Sequence, residues 1–283
     1  MTQTTADHRA GAFWAIIADT FQEARARWLF WGLFGLSTLL ILLFLFVLGV
    51  DVVQGARVTI EIGPASRDVF DINKFVHQAY SWITIVLYIW GTLLAVFASA
   101  GLVPVLLESG RIALLLSKPI SRSRLLLGRY VGNVLIIGAN HTYLILSIWL
   151  ILGSKTQIWD PRFLLAIPIS VFMFSVLLCV VVLVGVVLES AALSIMAAVA
   201  LMLISTLLAQ LDWSMRLLSS EWSRQLWVAL YWIVPKVYDL AGVMKQLVVY
   251  DRDVDWFTPV WTSAAFAIAT LSSAVLIFRK RDF

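Results

Sequence analysis

Long apolar runs separated by short charged stretches set the pattern of this chain. Runs at 29–50, 80–107, 131–152, 163–188, 191–209 and 257–278 contain no Asp, Glu, Lys or Arg. An α-helix rising 1.5 Å per residue needs about 20 residues to cross a hydrocarbon layer roughly 30 Å thick, so each run predicts one crossing. Long strand-like alternation is missing, which argues against a barrel. The expected fold is therefore all-α: a polytopic membrane protein with six transmembrane helices in a single domain, 1–283.

The segments between the crossings complete this expectation. In 1–28, Phe13, Trp14, Ile17, Phe21, Ala24 and Trp28 recur at helical spacing, with Asp19, Gln22 and Glu23 on the other side. That is the pattern of a helix lying in the membrane interface, and it has neither the compact apolar core nor the cleavage site of a secretory signal. The loop 51–79 reads as external, with a strand-like piece at 57–62. The run 80–107 would measure about 42 Å as a helix, so its last turns are expected to project from the membrane, kinked at Pro104. Only Glu189 and Ser190 separate the fourth and fifth runs, which predicts a tight hairpin with Glu189 at the amino end of the fifth helix. In 210–256 the best apolar stretch, 226–234, stops at Pro235 and is too short to span, so an external cap of interfacial or re-entrant helices is expected before the sixth crossing.

Composition fits this class: 61% of residues are hydrophobic and 13% charged, with a mean hydropathy of +0.92. One soluble core cannot bury that much apolar surface. The net charge of +4 serves orientation and contact with anionic membrane lipids rather than nucleic acid. Arg25 and Arg27, the basic stretch 108–130, and Arg279, Lys280 and Arg281 place both termini in the cytoplasm by the positive-inside bias. The single cysteine, Cys179, excludes an intrachain disulfide.

Enzyme motifs are missing from the sequence. No GxxxxGK[ST] phosphate loop, HExxH or GxSxG occurs, and His8, His77 and His141 are too scattered to predict a metal site. Nucleotide-driven work would need a partner. His141, inside the third run, is expected to be a neutral histidine hydrogen-bonded to a neighbouring helix. No carboxylate lies at mid-membrane depth, which argues against an ion antiporter.

The stretch 108–130, ESGRIALLLSKPISRSRLLLGRY, carries Arg111, Lys118, Arg122, Arg124 and Arg129. An amphipathic opening at 111–116 breaks at Lys118 and Pro119 and restarts at Ser121, a suitable N-cap. Charge alone is equally consistent with a solvated loop. The order of residues goes further: Glu108, Gly110, Arg111, leucines 114–116, Pro119, Ile120, Ser121, Arg122, Gly128 and Arg129 resemble the E-x-G, L-L-x-x-P-I-S-R and G-K/R signature of the ABC-2 type permeases, membrane subunits of ATP-binding-cassette exporters. Within that family the chain is most similar to single-domain permeases that accompany nitrous-oxide-reductase maturation.

The resemblance implies a helix between the second and third crossings that couples to a separate cytosolic ABC ATPase. Ile112 and Leu115 would fill a groove of that partner, while Arg111, Lys118, Arg122 and Arg124 meet its acidic rim; Glu108, Gly110, Pro119 and Ser121 complete the coupling set. ATP and Mg would be held by the partner, with no cofactor in this chain. A second permease copy or paralogue would complete a dimer in the plasma membrane of a prokaryote, the inner membrane if Gram-negative. A non-transporting membrane anchor and an intramembrane enzyme remain alternatives.

Overall fold

The computed structural model describes residues 2–26, 28–46, 50–53, 57–61, 67–101, 104, 121–210, 220–249 and 254–281. Two helices, α1 (Thr2–Ala26) and α2 (Trp28–Phe46), open the chain, and 13–26 and 30–46 meet at a 72° bend. Next come three short strands, β1 (Val50–Val53), β2 (Arg57–Glu61) and β3 (Arg67–Asp71), forming an antiparallel sheet in the order β1-β2-β3. Helix α3 (Ile72–Val86) continues through a π-helical turn (Leu87–Gly91) into α4 (Thr92–Ala100). Beyond the coupling stretch lie α5 (Arg122–Thr156), a 3-10 turn (Pro161–Leu165), α6 (Ala166–Leu188) and α7 (Ala191–Leu208). The remaining helices are α8 (Glu221–Ile233), α9 (Val237–Val249) and α10 (Phe257–Lys280).

Among the described residues, five helical segments are long and apolar enough to cross a membrane, and two bent pairs, α1–α2 and α8–α9, bring the count to as many as seven. At the bundle centre stands α6. Every residue from Val176 through Val182 is buried, as a helix apolar on all faces must be when other helices surround it. It packs against α4, α5, α7, α9 and α10.

Several boundaries differ from those predicted. Helix α2 stops at Phe46, and Val50, expected in the first crossing, pairs instead with Ile60 in the sheet. The loop 51–79 is shorter than expected because α3 already begins at Ile72. Helix α5 starts at Arg122 rather than at 131 and has 35 residues, a length of about 52 Å. Charged residues end an apolar run, but they do not end a helix, which continues into the polar phase while its backbone bonds are made. Glu189 caps the end of α6 in the left-handed region (φ 53°) instead of opening α7, and the Ser190 hydroxyl accepts the Leu193 N–H at the start of α7. Ser121 does occupy the N-cap position of α5, but its hydroxyl makes no capping bond there. The turns flanking Pro104, and 105–120 with Glu108, Gly110, Arg111, Ile112, Leu115, Lys118 and Pro119, lie outside the described residues.

The segment before α10 folds back on itself. Helices α8 and α9 meet at 69°, and Pro235 at the break removes one backbone donor. The N–H of Lys236 donates to Ser263 Oγ on α10 at 3.0 Å, and that of Tyr238 to Ser205 Oγ on α7 at 3.1 Å. Interrupted backbone inside a membrane protein needs such partners, and here buried serines supply them. This geometry is that of a broken span or of a re-entrant pair.

A close packing point joins the end of α5 to the chain that leaves it. Gln157, at φ 61°, ends the helix. Trp159 then returns across Gly153, where a Cβ would sit 2.5 Å from the indole ring. Trp149 donates to the Asp160 carbonyl at 2.8 Å and stands edge-on to Trp159. Gly153→Ala forces the indole aside, and overpacking of this kind costs about 1–3 kcal/mol. The variant is therefore expected to melt at a lower temperature in detergent; a melting curve identical to that of the unmodified protein would refute the packing described.

Candidate functional site

Three places bring chemistry-bearing side chains together. The first is the end of the bundle where α5 begins, which carries the cations that sequence reading assigned to coupling and to orientation. Arg122 Nη1 donates to the backbone carbonyls of Arg279 and Arg281, the last acceptors of α10. A guanidinium there satisfies carbonyls that the helix itself cannot bond and meets the negative end of its dipole. Arg281 in turn donates to the Val186 carbonyl and pairs with Glu189 at the α6–α7 hairpin. Arg122 and Arg281 thus tie the start of α5, the end of α10 and the α6–α7 turn into one unit. Ser121 is exposed beside this unit, and Arg124, half-buried, lies in the first turn of α5.

About two turns deeper, α1 docks on α5. Arg129 is buried and reaches two carboxylates one helical turn apart: Nη2 meets Asp19 Oδ2 at 2.7 Å, and Nη1 pairs with Glu23. Gly128 and Gly132 flank it at the spacing that lets helix backbones approach closely. A Cβ at Gly128 would lie 2.7 Å from Ile16 Cγ2, and one at Gly132 2.9 Å from Thr20 Cβ. The docked face of α1 is therefore Ile16, Thr20 and Ala24 with the acids beside it. Trp14, Phe21 and Trp28 point away and stay exposed.

The second place lies further along α5. Asn140 Oδ1 accepts from Ser37 Oγ of α2 at 3.2 Å, and His141 Nδ1 stands 3.2 Å from Ser170 Oγ of α6. Asn140, His141 and Ser170 are all buried. On its other side His141 faces Gly91 of the π-helical turn, where a Cβ would come 3.6 Å from Nε2. The predicted tie from His141 to a neighbouring helix is present. Among the described residues no group of three or more His, Cys, Asp or Glu is placed to hold a metal ion.

The third place is a cavity of about 660 Å³ near the opposite end, between α3, α8, α9 and the start of α10. Tyr88, Tyr231 and Tyr238 line it together with Asp239, Asp255 and Lys245. Tyr231 donates to Asp239 Oδ2 at 2.7 Å, and Tyr88 OH lies 3.0 Å from Thr206 Oγ1.

Sequence reading missed the Arg129 clamp and the cavity. The clamp had a signal: Gly128 and Gly132 four apart, a cation between them, and an acid pair at the same spacing, Asp19 and Glu23, in α1. The cavity had none, because its residues come from four separate elements.

Arg129→Ala removes the cation of the clamp; because the Asp19 side chain is 56% exposed, the loss is that of hydrogen bonds to charged groups, about 1.5–3 kcal/mol, rather than that of a fully buried pair. Amide exchange over 13–26 is expected to rise by at least about tenfold. Arg129→Met combined with Asp19→Asn and Glu23→Gln should recover much of the protection. Equal exchange in all three proteins would rule the clamp out.

No curated protein matches the chain. Residues 14–234, more than three-quarters of it, match the family described as ABC-2 family transporter protein; the match is with the family as a whole and not with the nitrous-oxide-reductase subgroup. By that match the chain belongs to the ABC-2 family of transporter proteins and is a multi-pass membrane permease subunit of an ABC transporter.

Proposed function

We propose that this permease is the membrane half of an exporter, driven by a cytosolic ABC ATPase that docks on the end of the bundle where α5 begins. The observation that carries the reading is the Arg122–Arg281 network. The segment leaving the coupling stretch is tied through Arg122 to the end of α10, and through Arg281 to the α6–α7 turn. A push on 108–121 then moves several crossings together instead of bending one loop.

In this reading Ile112 and Leu115 enter a groove of the ATPase, and Arg111, Lys118 and Arg124 face its acidic rim. Arg122 passes the displacement to α10. Basic residues concentrated at this end orient it toward the cytoplasm, with both termini, in a prokaryotic plasma membrane. Six crossings result, from α2, α3–α4, α5, α6, α7 and α10, with α1 in the interface and α8–α9 re-entrant from outside. Two such subunits around a shared path bring two coupling helices to an ATPase pair, and two weak contacts engaged together hold far better than one.

The test is reconstitution of the permease in lipid vesicles with the ABC ATPases of its own cell, added one at a time. The wild-type permease is expected to bind one of them and stimulate its hydrolysis of ATP. Glu108→Gln and Arg122→Ala should insert normally and lose most of the stimulation. A thiol placed by Ser121→Cys, in a Cys179→Ser background, should react only from the ATPase side. Full stimulation in both variants, or labelling from the other face, overturns the reading.

A further inference from the structure

The cavity between α3, α8, α9 and the start of α10 plays no part in the coupling just described. At about 660 Å³ it falls within the size range of small-molecule sites. Its lining combines tyrosine rings with carboxylates. The face of an aromatic ring is the negative side of its quadrupole and attracts cations, best of all weakly hydrated organic ones.

The rings are held in place before any ligand arrives. Tyr88 is anchored through its hydroxyl on Thr206 and stands edge-on to Tyr238, with centroids 6.0 Å apart. Tyr231 is anchored on Asp239. Immediately beside the cavity, though not in its lining, the chain uses the same chemistry on a cation of its own: the Lys236 ammonium sits 4.1 Å from the Tyr231 ring centroid and 4.0 Å from that of Trp232.

Charge points the same way. Asp239 and Asp255 stand in the lining with Lys245, which has an interaction partner of its own. Lys236 beside the cavity acts on both carboxylates, and Asp239 is held as well by Tyr231, which leaves the exposed Asp255 as the carboxylate open to a ligand. The Thr258 hydroxyl and backbone amide hold the Asp255 carboxyl below its ordinary range, so it is ionised at neutral pH. An anion would meet both negative ring faces and carboxylates. A small divalent metal would forgo most of its oxygen ligands among tyrosine rings and apolar side chains.

We propose that this cavity binds an organic ammonium ion with a compact apolar body, the positive nitrogen lying against the rings of Tyr88 and Tyr238 and balanced by Asp255. The site does not depend on the ATP-driven reading. Binding to the permease alone tests it, whereas failure of the ATPase to respond would count only against the transport mechanism.

The probe is choline, titrated calorimetrically into the full-length permease in lipid nanodiscs, with 3,3-dimethylbutan-1-ol as its uncharged isostere. Saturable binding of choline is expected, at least about tenfold tighter than that of the isostere. Tyr238→Leu and Asp255→Asn should each weaken choline by about tenfold or more. Both changes spare the fold: the Tyr238 backbone keeps its bond to Ser205, and Asn at 255 still offers an oxygen to the Thr258 amide. Unchanged melting temperatures will check this. Equal binding of choline and its isostere, wild-type affinity in both variants, or no heat of binding up to about 10 mM choline, where any remaining affinity is below about 3 kcal/mol, would overturn the assignment.

Discussion

Polar side chains that hydrocarbon cannot solvate must find partners on other helices, and in this bundle α5 carries several of them. Arg129 faces α1, Asn140 faces α2, and His141 faces α6. Tyr130 donates to the Ser175 carbonyl of α6 at 3.1 Å and accepts from Cys179. Apolar contact alone does not fix the order of helices in a membrane, because lipid is as good a neighbour as leucine. Partner-seeking groups do fix it, since each one left bare would cost several times what a single contact contributes. Helix α5 therefore works as a keyed spine, and the register of α1, α2 and α6 is set against it.

The same helix joins several others near its start. Its first turn is bonded to the end of α10, and about two turns on it receives α1 through glycines and a two-carboxylate clamp. Gly128 lets α1 approach, and Arg129 holds it there.

What the sequence disclosed followed from length and charge. The apolar runs, the hairpin at Glu189 and Ser190 and the break at Pro235 could all be read because span length and proline have direct physical meaning. The facing of α1 could not. In a soluble protein the aromatic stripe of Trp14, Phe21 and Trp28 would point inward. In lipid the aromatic stripe can point outward, and Ile16 with the polar positions Thr20, Asp19 and Glu23 meets the protein. The partners of Arg122 and Arg281 were hidden for a different reason, since both are reached across more than 90 residues of chain. The cavity was hidden in the same way, because Tyr88 and Asp239 become neighbours only when α9 folds back from the break.

The π-helical turn at Leu87–Gly91 gives the second crossing a further property. Thr92 Oγ1 donates to the Leu87 carbonyl five residues back, at 3.1 Å, so the widened ring is stitched at its lower edge. Such a bulge holds one residue more than an α-helical turn. Closing it into a regular α-helical turn would screw α4 through about 100° and advance it about 1.5 Å, turning Thr92, Ala95, Val96 and Ser99 out of contact with α6 and α7. One half of the crossing would then rotate like a bolt while the half bearing Tyr80 and Tyr88 stayed in place.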